Sequence, residues 1–144
     1  MPVYFDTSAL LKRYLPERNS DAFEAYFREV ESAQISRLTL VELRSALARK
    51  RREGRFKKAK EAEVLNEIST DIQDGLLTVF PASDSHFIAA FHLMGQLAKL
   101  PLRSLDALYL ATAQALETDT LATADDVMRR AAQALGLTVA YFGD

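Results

Sequence analysis

The 144-residue chain contains no cysteine, so it has no disulfide framework, no zinc–thiolate site and no thiol nucleophile. Its only histidines, His86 and His92, are six residues apart and therefore lie on different faces of a helix, which argues against a paired-histidine zinc site. No apolar run approaches the length of a membrane span, and no basic, apolar leader opens the chain. These absences predict a cytoplasmic protein that does not enter a membrane.

The composition is that of a globular protein, with 49% hydrophobic and 26% charged residues, and predicts a single domain over residues 1–144. The net charge of −2 hides an asymmetry, because residues 44–60 alone carry a charge of +8 and the remainder carries −10. The mean charge is therefore a poor guide to the surface field.

Short β-prone runs alternate along the chain with helical patterns, most of which have ten or more residues. The predicted strands are Pro2–Phe5, Gln34–Ser36, Leu76–Phe80, Leu121–Thr123 and Leu137–Phe142. The predicted helices are Ala9–Tyr14, a second helix capped by Asn19 or Ser20, Leu38–Arg52, Arg55–Gln73, Ser83–Leu97, Ser104–Glu117 and Asp125–Leu135. This alternation predicts an α/β fold, with a parallel sheet covered by helices on both faces.

Four acidic residues share one local context, in which apolar or small residues surround an acid at the start of a helix. They are Asp6 in VYFDTSALL, Glu42 in LTLVELRSAL, Asp106 in LRSLDALYLATA and Asp125 in LATADDVMRR. Taken singly, each acid suits a helix N-terminus, where it is favourable by roughly 0.3–1 kcal/mol. Thr39 with Glu42 matches a capping box, and Asp106 falls in a first turn if Ser104 is the cap.

Taken together, the acids also suit one converging site, since helix N-termini that follow parallel strands gather at the carboxyl edge of a sheet. Carboxylates about 5 Å apart repel by on the order of 3 kcal/mol per pair at an effective dielectric near 20. Such a cluster persists with bound cations or with protonated members. Oxygen ligands without cysteine favour Mg²⁺ or Mn²⁺ over zinc, and such a site suits phosphoryl chemistry.

Four blocks of the chain, FDTSALLKRY, SRLTLVELRSAL, LRSLDALYLATA and LATADDVMRRAAQALGL, resemble the PIN-domain ribonucleases. The resemblance spans essentially the whole chain and is greatest to the small VapC-type toxins of toxin–antitoxin pairs. It implies a three-layer α/β/α domain with a mainly parallel five-stranded sheet in the order 3-2-1-4-5. It also implies the site, with metal-binding and catalytic acids Asp6, Glu42, Asp106 and Asp125 and supporting hydroxyls Thr7, Ser8 and Thr123. Asp126 is an alternative to Asp125, which we favour because it directly follows Thr123-Ala124.

The function implied by the resemblance is a Mg²⁺-dependent endoribonuclease, with Mn²⁺ as a substitute, that leaves a 5′-phosphate and a 3′-hydroxyl. The implied partners are an RNA substrate, a cognate antitoxin and a second copy of the chain in a homodimer. The alternative is a PIN-like RNA- or protein-binding module without catalytic activity. The presence of all four acids argues against that alternative.

Two further features have more than one interpretation. The basic segment, residues 44–60, supplies candidates for RNA or antitoxin contact, although a solvated helix surface also explains them. These candidates are Arg49, Lys50, Arg51, Arg52, Lys57 and Lys58. Tyr109 lies one turn after Asp106, and both a position at the site and ordinary amphipathic packing fit its place.

Overall fold

A computed structural model describes residues 2–144, and within them strands and helices alternate as predicted. The strands are β1 (Pro2–Phe5), β2 (Ser32–Ser36), β3 (Leu77–Phe80), β4 (Thr120–Thr123) and β5 (Thr138–Tyr141). The helices are α1 (Thr7–Tyr14), α2 (Ser20–Glu29), α3 (Arg37–Arg52), α4 (Lys58–Gln73), α5 (Asp84–Gln96), α6 (Ser104–Ala115) and α7 (Asp126–Ala134). No helix in this part of the chain has the length and apolar character needed to cross a bilayer.

The five strands form one sheet in the order β3-β2-β1-β4-β5, and all four neighbouring pairs are parallel. The predicted strand order is confirmed. The central strand β1 aligns Val3 with Ala33 of β2 on one side and with Thr120 of β4 on the other. The carboxyl ends of β1 and β4 therefore lie side by side, which brings the residues after Phe5 and Thr123 to the same edge.

Helices cover both faces of the sheet, and β1 shows why. Val3 and Phe5 point to one face and pack with buried side chains of α1–α4, whereas Tyr4 points to the other and packs with α5–α7. All three side chains are buried, which stabilises the fold by roughly 1.5–3 kcal/mol for each large apolar residue. The predicted three-layer α/β/α architecture is confirmed.

The predicted capping box of α3 is wrong, and its correction bears on the site. Ser36, not Thr39, is the N-cap, and its hydroxyl accepts the Leu38 N–H at 3.1 Å. Thr39 instead supplies the return bond, accepting the Ser36 N–H at 3.2 Å. Ser36 also ends β2, paired with Phe80, so the sheet fixes where the helix begins. Glu42 consequently lies in the second turn and has no capping role.

Other helix boundaries differ from the predicted ones for local reasons. The helix α1 begins at Thr7 rather than Ala9 because Asp6 caps it. The helix α6 has Arg103, not Ser104, as its N-cap residue, and Asp106 accepts the Arg103 N–H. The helix α3 ends where Gly54 takes a φ of 80°, a left-handed conformation that glycine adopts without strain, so α4 begins only at Lys58.

Candidate active site

The four acids line a single cavity of about 640 Å³ at the carboxyl edge of the sheet. Asp6 directly follows β1, and Asp125 follows β4 after one intervening residue. Glu42 enters from the second turn of α3 and Asp106 from the first turn of α6. Four segments that are far apart in sequence therefore meet at one place, as the shared context of the acids predicted.

Asp6 is both a helix cap and a buried member of this cavity. One oxygen, Oδ1, accepts the Ala9 N–H at 3.0 Å and the Ser8 hydroxyl at 2.7 Å. The other, Oδ2, accepts the Thr123 hydroxyl at 2.5 Å. Burial, and to a smaller extent the charge of Asp125, raises the pKa of Asp6 to about 6 against the opposing effect of these hydrogen bonds. The cap and site interpretations are therefore compatible at this residue.

Two of the predicted hydroxyls fasten the turn after β4 to the start of α1. The Ser8 hydroxyl accepts the Ala124 N–H at 2.9 Å while donating to Asp6. The Thr123 hydroxyl accepts the Asp125 N–H at 3.0 Å while donating to the other oxygen of Asp6. These bonds hold Asp6 and Asp125 in a fixed relation before any ligand is bound.

The third predicted hydroxyl, Thr7, serves Glu42 rather than Asp6. Its Oγ1 donates to Oε1 of Glu42 at 2.8 Å, and the phenol of Tyr109 donates to the same oxygen. Within residues 2–144 no hydrogen bond reaches Oε2 of Glu42, so that oxygen remains available at the cavity. Burial and the neighbouring carboxylate raise the pKa of Tyr109, so its phenol remains a donor at neutral pH.

Asp106 and Asp125 each accept a backbone N–H at a helix start through one carboxylate oxygen. Oδ2 of Asp106 accepts the Arg103 N–H at 3.2 Å, and Oδ1 of Asp125 accepts the Met128 N–H at 2.9 Å. The Arg103 guanidinium lies 3.6 Å from Oδ2 of Asp106 and 4.0 Å from Oδ2 of Asp125. Burial raises the pKa of Asp106, as does the charge of Asp125, while Arg103 opposes both effects.

The donor set fits a hydrated divalent cation but is not a preformed all-protein cage. No group of three or more His, Cys, Asp or Glu side chains within residues 2–144 is arranged to enclose a metal. Mg²⁺ usually keeps several waters and takes only one or two carboxylates, so such a cage is not required. Oε2 of Glu42 and Oδ1 of Asp106 accept no hydrogen bond within the same residues and supply the oxygen ligands that Mg²⁺ or Mn²⁺ prefers.

The alternative acid Asp126 lies outside the cavity. It is exposed in the first turn of α7 and pairs with Arg129 and Arg130 on the same helix. Its neighbour Asp125 is the one that lines the cavity.

The basic segment does not form one surface. Arg49 and Lys50 line the cavity, and Lys50 lies 3.7 Å from Glu17. Arg51 is turned away and pairs with Glu61 at 2.8 Å. Arg52, Lys57 and Lys58 are exposed and do not line the cavity.

The contacts of three residues near the acids are not predicted by the sequence. Lys12, which lines the cavity beside Glu17, is one turn after Ser8 on α1. Arg103 is three residues before Asp106, and this spacing is the signal from which its contact with that acid could have been predicted. Tyr109 follows Asp106 by one turn, which is compatible with a position at the site, but nothing in the sequence pairs it with Glu42, 67 residues away.

The chain matches a protein-family model described as the PIN domain over residues 3–134. It is 33% identical over 139 residues to ribonuclease VapC46 of Mycobacterium tuberculosis, a similarity that covers 95% of each chain.

Solved structures with low sequence identity share the fold. The Mycobacterium tuberculosis toxin VapC20, which cleaves the sarcin–ricin loop, aligns with a TM-score of 0.72 at 13% identity, over 90% of this chain and 94% of that one. FitAcB from Neisseria gonorrhoeae aligns with a TM-score of 0.69 at 18% identity, over 95% of both chains. VapBC2 from Rickettsia felis, bound to a promoter DNA fragment, aligns with a TM-score of 0.69 at 17% identity, over 99% of both.

Proposed function

We propose a function for this chain from the premise that it belongs to the PIN-domain family and, within it, to the VapC-type ribonucleases. The proposed activity is endonucleolytic hydrolysis of RNA, dependent on Mg²⁺ or Mn²⁺, that leaves a 5′-phosphate and a 3′-hydroxyl. The observation that carries the proposal is the meeting of Asp6, Glu42, Asp106 and Asp125 in one cavity. Glu42 has no capping role, so helix capping does not explain why it joins the three acids at helix starts in this cavity.

Different residues of the site have different roles in such a reaction. Glu42 and Asp106 would hold the cation through their unbonded oxygens, with Asp6 and Asp125 adding negative charge beside them. When bound, Mg²⁺ or Mn²⁺ supplies Lewis acidity toward water and the phosphate. The carboxylates accept the proton that the attacking water releases, so no histidine or lysine base is needed. Arg103 is exposed at the cavity and suits a phosphate oxygen.

The direct test is cleavage of a mixed RNA substrate by the purified protein. We expect cleavage with Mg²⁺ or Mn²⁺, loss of cleavage in EDTA, and products that a 5′-phosphate-dependent exonuclease degrades. A folded protein that binds RNA without cutting it in any of these conditions would favour the inactive binding module instead.

We also propose an antitoxin partner and a homodimer for this chain. The VapBC complex of Rickettsia felis, whose toxin shares this fold, supports the antitoxin partner, although at 17% identity it is a likeness of fold alone.

The homodimer is supported by α5, which exposes Phe87, Ile88, Phe91 and Met94 within three turns. Such an uncharged apolar stripe suits a self-complementary two-fold contact. Light scattering of the purified chain tests the dimer, and a monomer at micromolar concentration would contradict it.

The division of the basic segment predicts which cations contact RNA. We expect Arg49→Glu to weaken RNA binding and to flatten its salt dependence by about one unit of slope, because Arg49 lines the cavity. The matched control is Lys58→Glu, the same reversal at an exposed site outside the cavity. Both are compared by fluorescence anisotropy in an Asp106→Asn background. Equal effects of the two reversals would contradict a specific contact at Arg49.

A further inference from the structure

Glu42 differs from the other three acids in how the protein holds it. Its side chain has one more rotatable bond than an aspartate, and it lies in the second turn of α3 with no capping role. Asp6, Asp106 and Asp125 are each fastened to a backbone N–H at a helix start. Among residues 2–144, the side chain of Glu42 is held only by two hydroxyls, those of Thr7 and Tyr109.

Packing holds the ring of Tyr109 in place independently of its hydrogen bond to Glu42. The residue is 3% exposed, and its ring packs against that of Tyr4 with centroids 6.3 Å apart. Its hydroxyl lies 3.3 Å from Oγ1 of Thr7, so the two donors and Oε1 of Glu42 form one closed group. Donors from α1 and α6 therefore fix one carboxylate oxygen of a residue on α3.

We propose that Tyr109 is a positioning residue for Glu42. With Thr7 it holds Oε1, so that Oε2 is presented to a divalent cation in the cavity. The inference rests on the proposed function, because it takes the cavity acids to be the cation ligands. A hydrogen-bond partner that orients a metal ligand typically contributes about 10–100-fold in metal affinity, which is the size of effect expected here.

The chain contains a matched control for this proposal. Tyr4 is fully buried beside Tyr109, yet its hydroxyl has no hydrogen-bond partner within residues 2–144. Tyr4→Phe and Tyr109→Phe therefore remove the same atom from neighbouring rings, and only the second removes a bond to Glu42. Thr7→Val removes the other donor, whereas Thr7→Ser keeps it.

The experiment measures Mn²⁺ binding by isothermal titration calorimetry, without RNA, on variants whose folding is verified by circular dichroism. We expect Tyr109→Phe and Thr7→Val each to weaken Mn²⁺ binding by about 10–100-fold, with Tyr4→Phe and Thr7→Ser close to wild type. In a Glu42→Gln background, Tyr109→Phe should add no further loss, since its effect passes through that carboxylate. RNA cleavage by Tyr109→Phe should recover when Mn²⁺ is raised to saturation.

The outcomes separate this inference from the proposed function. If the wild type binds Mn²⁺ and cleaves RNA but Tyr109→Phe binds the ion as tightly as Tyr4→Phe does, the positioning role is wrong and the function stands. If Tyr109→Phe weakens binding equally with and without the Glu42 carboxylate, its effect is structural and the inference also fails. A wild type that binds no Mn²⁺ would overturn both. If Tyr109→Phe does not fold, the comparison of Thr7→Val with Thr7→Ser decides the same question.

Discussion

We expect Asp106→Asn to lower the rate of RNA cleavage by about 10²–10³-fold or more while leaving the fold intact. Asp106 lines the cavity with a carboxylate whose Oδ1 accepts no hydrogen bond from residues 2–144, and the amide removes the negative charge that a divalent cation requires. The amide oxygen still accepts the Arg103 N–H, so the start of α6 is preserved. Cleavage with Mg²⁺ and the circular dichroism spectrum, measured on the same preparation, test the two halves of this prediction.

The control for this loss is Asp126→Asn. It makes the same change of charge at an exposed acid outside the cavity, and we expect nearly wild-type cleavage from it. Asp6→Asn should resemble Asp106→Asn in activity, because both acids line the same cavity. Substantial cleavage by a folded Asp106→Asn protein would remove Asp106 from the mechanism, whatever the other variants show.

The alternation of strands and helices could be predicted from the sequence, because the periodicity of each element is encoded locally. The runs from Pro2 and from Leu121 read as buried strands, and each is followed by an acid at the start of a helix. Because β1 and β4 are parallel neighbours in the sheet, their carboxyl ends lie side by side, so the meeting of Asp6 with Asp125 follows from the strand order. The strand order itself came from family resemblance, since pattern alone does not rank the possible orders.

Where prediction failed, long-range contacts decided the outcome. Both Ser36 and Thr39 suit an N-cap, and only the pairing of Ser36 with Phe80 determines which of them caps α3. The role of Tyr109 depends on where the tertiary fold places α6 relative to Glu42 at the edge of the sheet, which no local pattern encodes. The basic segment is one block in sequence, but within α3 only Arg49 and Lys50 of its last four residues line the cavity. The turn at Gly54 then separates Lys57 and Lys58 from that helix.

The buried acids of the cavity also lead to a prediction about how stability depends on pH. The first group to consider is the carboxyl of Asp6. Its pKa in the folded protein is raised from an ordinary 3.8 to about 6 by burial. Between these two values the folded state binds more protons than the unfolded state, so stability falls as pH rises through this window. Above about pH 6 the buried, ionised carboxylate costs the metal-free fold up to about 3 kcal/mol, at 1.36 kcal/mol for each unit of the shift.

We therefore expect Asp6→Asn to raise the melting temperature in EDTA at about pH 7.5 and to have a much smaller effect near pH 4, where the wild-type carboxyl is largely protonated. Asn keeps an oxygen for the Ala9 N–H, so the cap of α1 survives while the buried charge is lost. The wild type should gain stability from Mg²⁺ or Mn²⁺ by mass action, and Asp6→Asn should gain much less.

Asp125→Asn should shift the melting temperature in the same direction, because the charge of Asp125 raises the pKa of Asp6 and of Asp106. The exposed Asp126→Asn variant serves again as the control and should respond to metal as the wild type does. Thermal unfolding followed by circular dichroism, with EDTA and with Mn²⁺ at both pH values, provides every comparison. If Asp6→Asn and Asp125→Asn melt below the wild type in EDTA and keep its full response to metal, both acids are helix caps. The metal site would then not include Asp6 or Asp125.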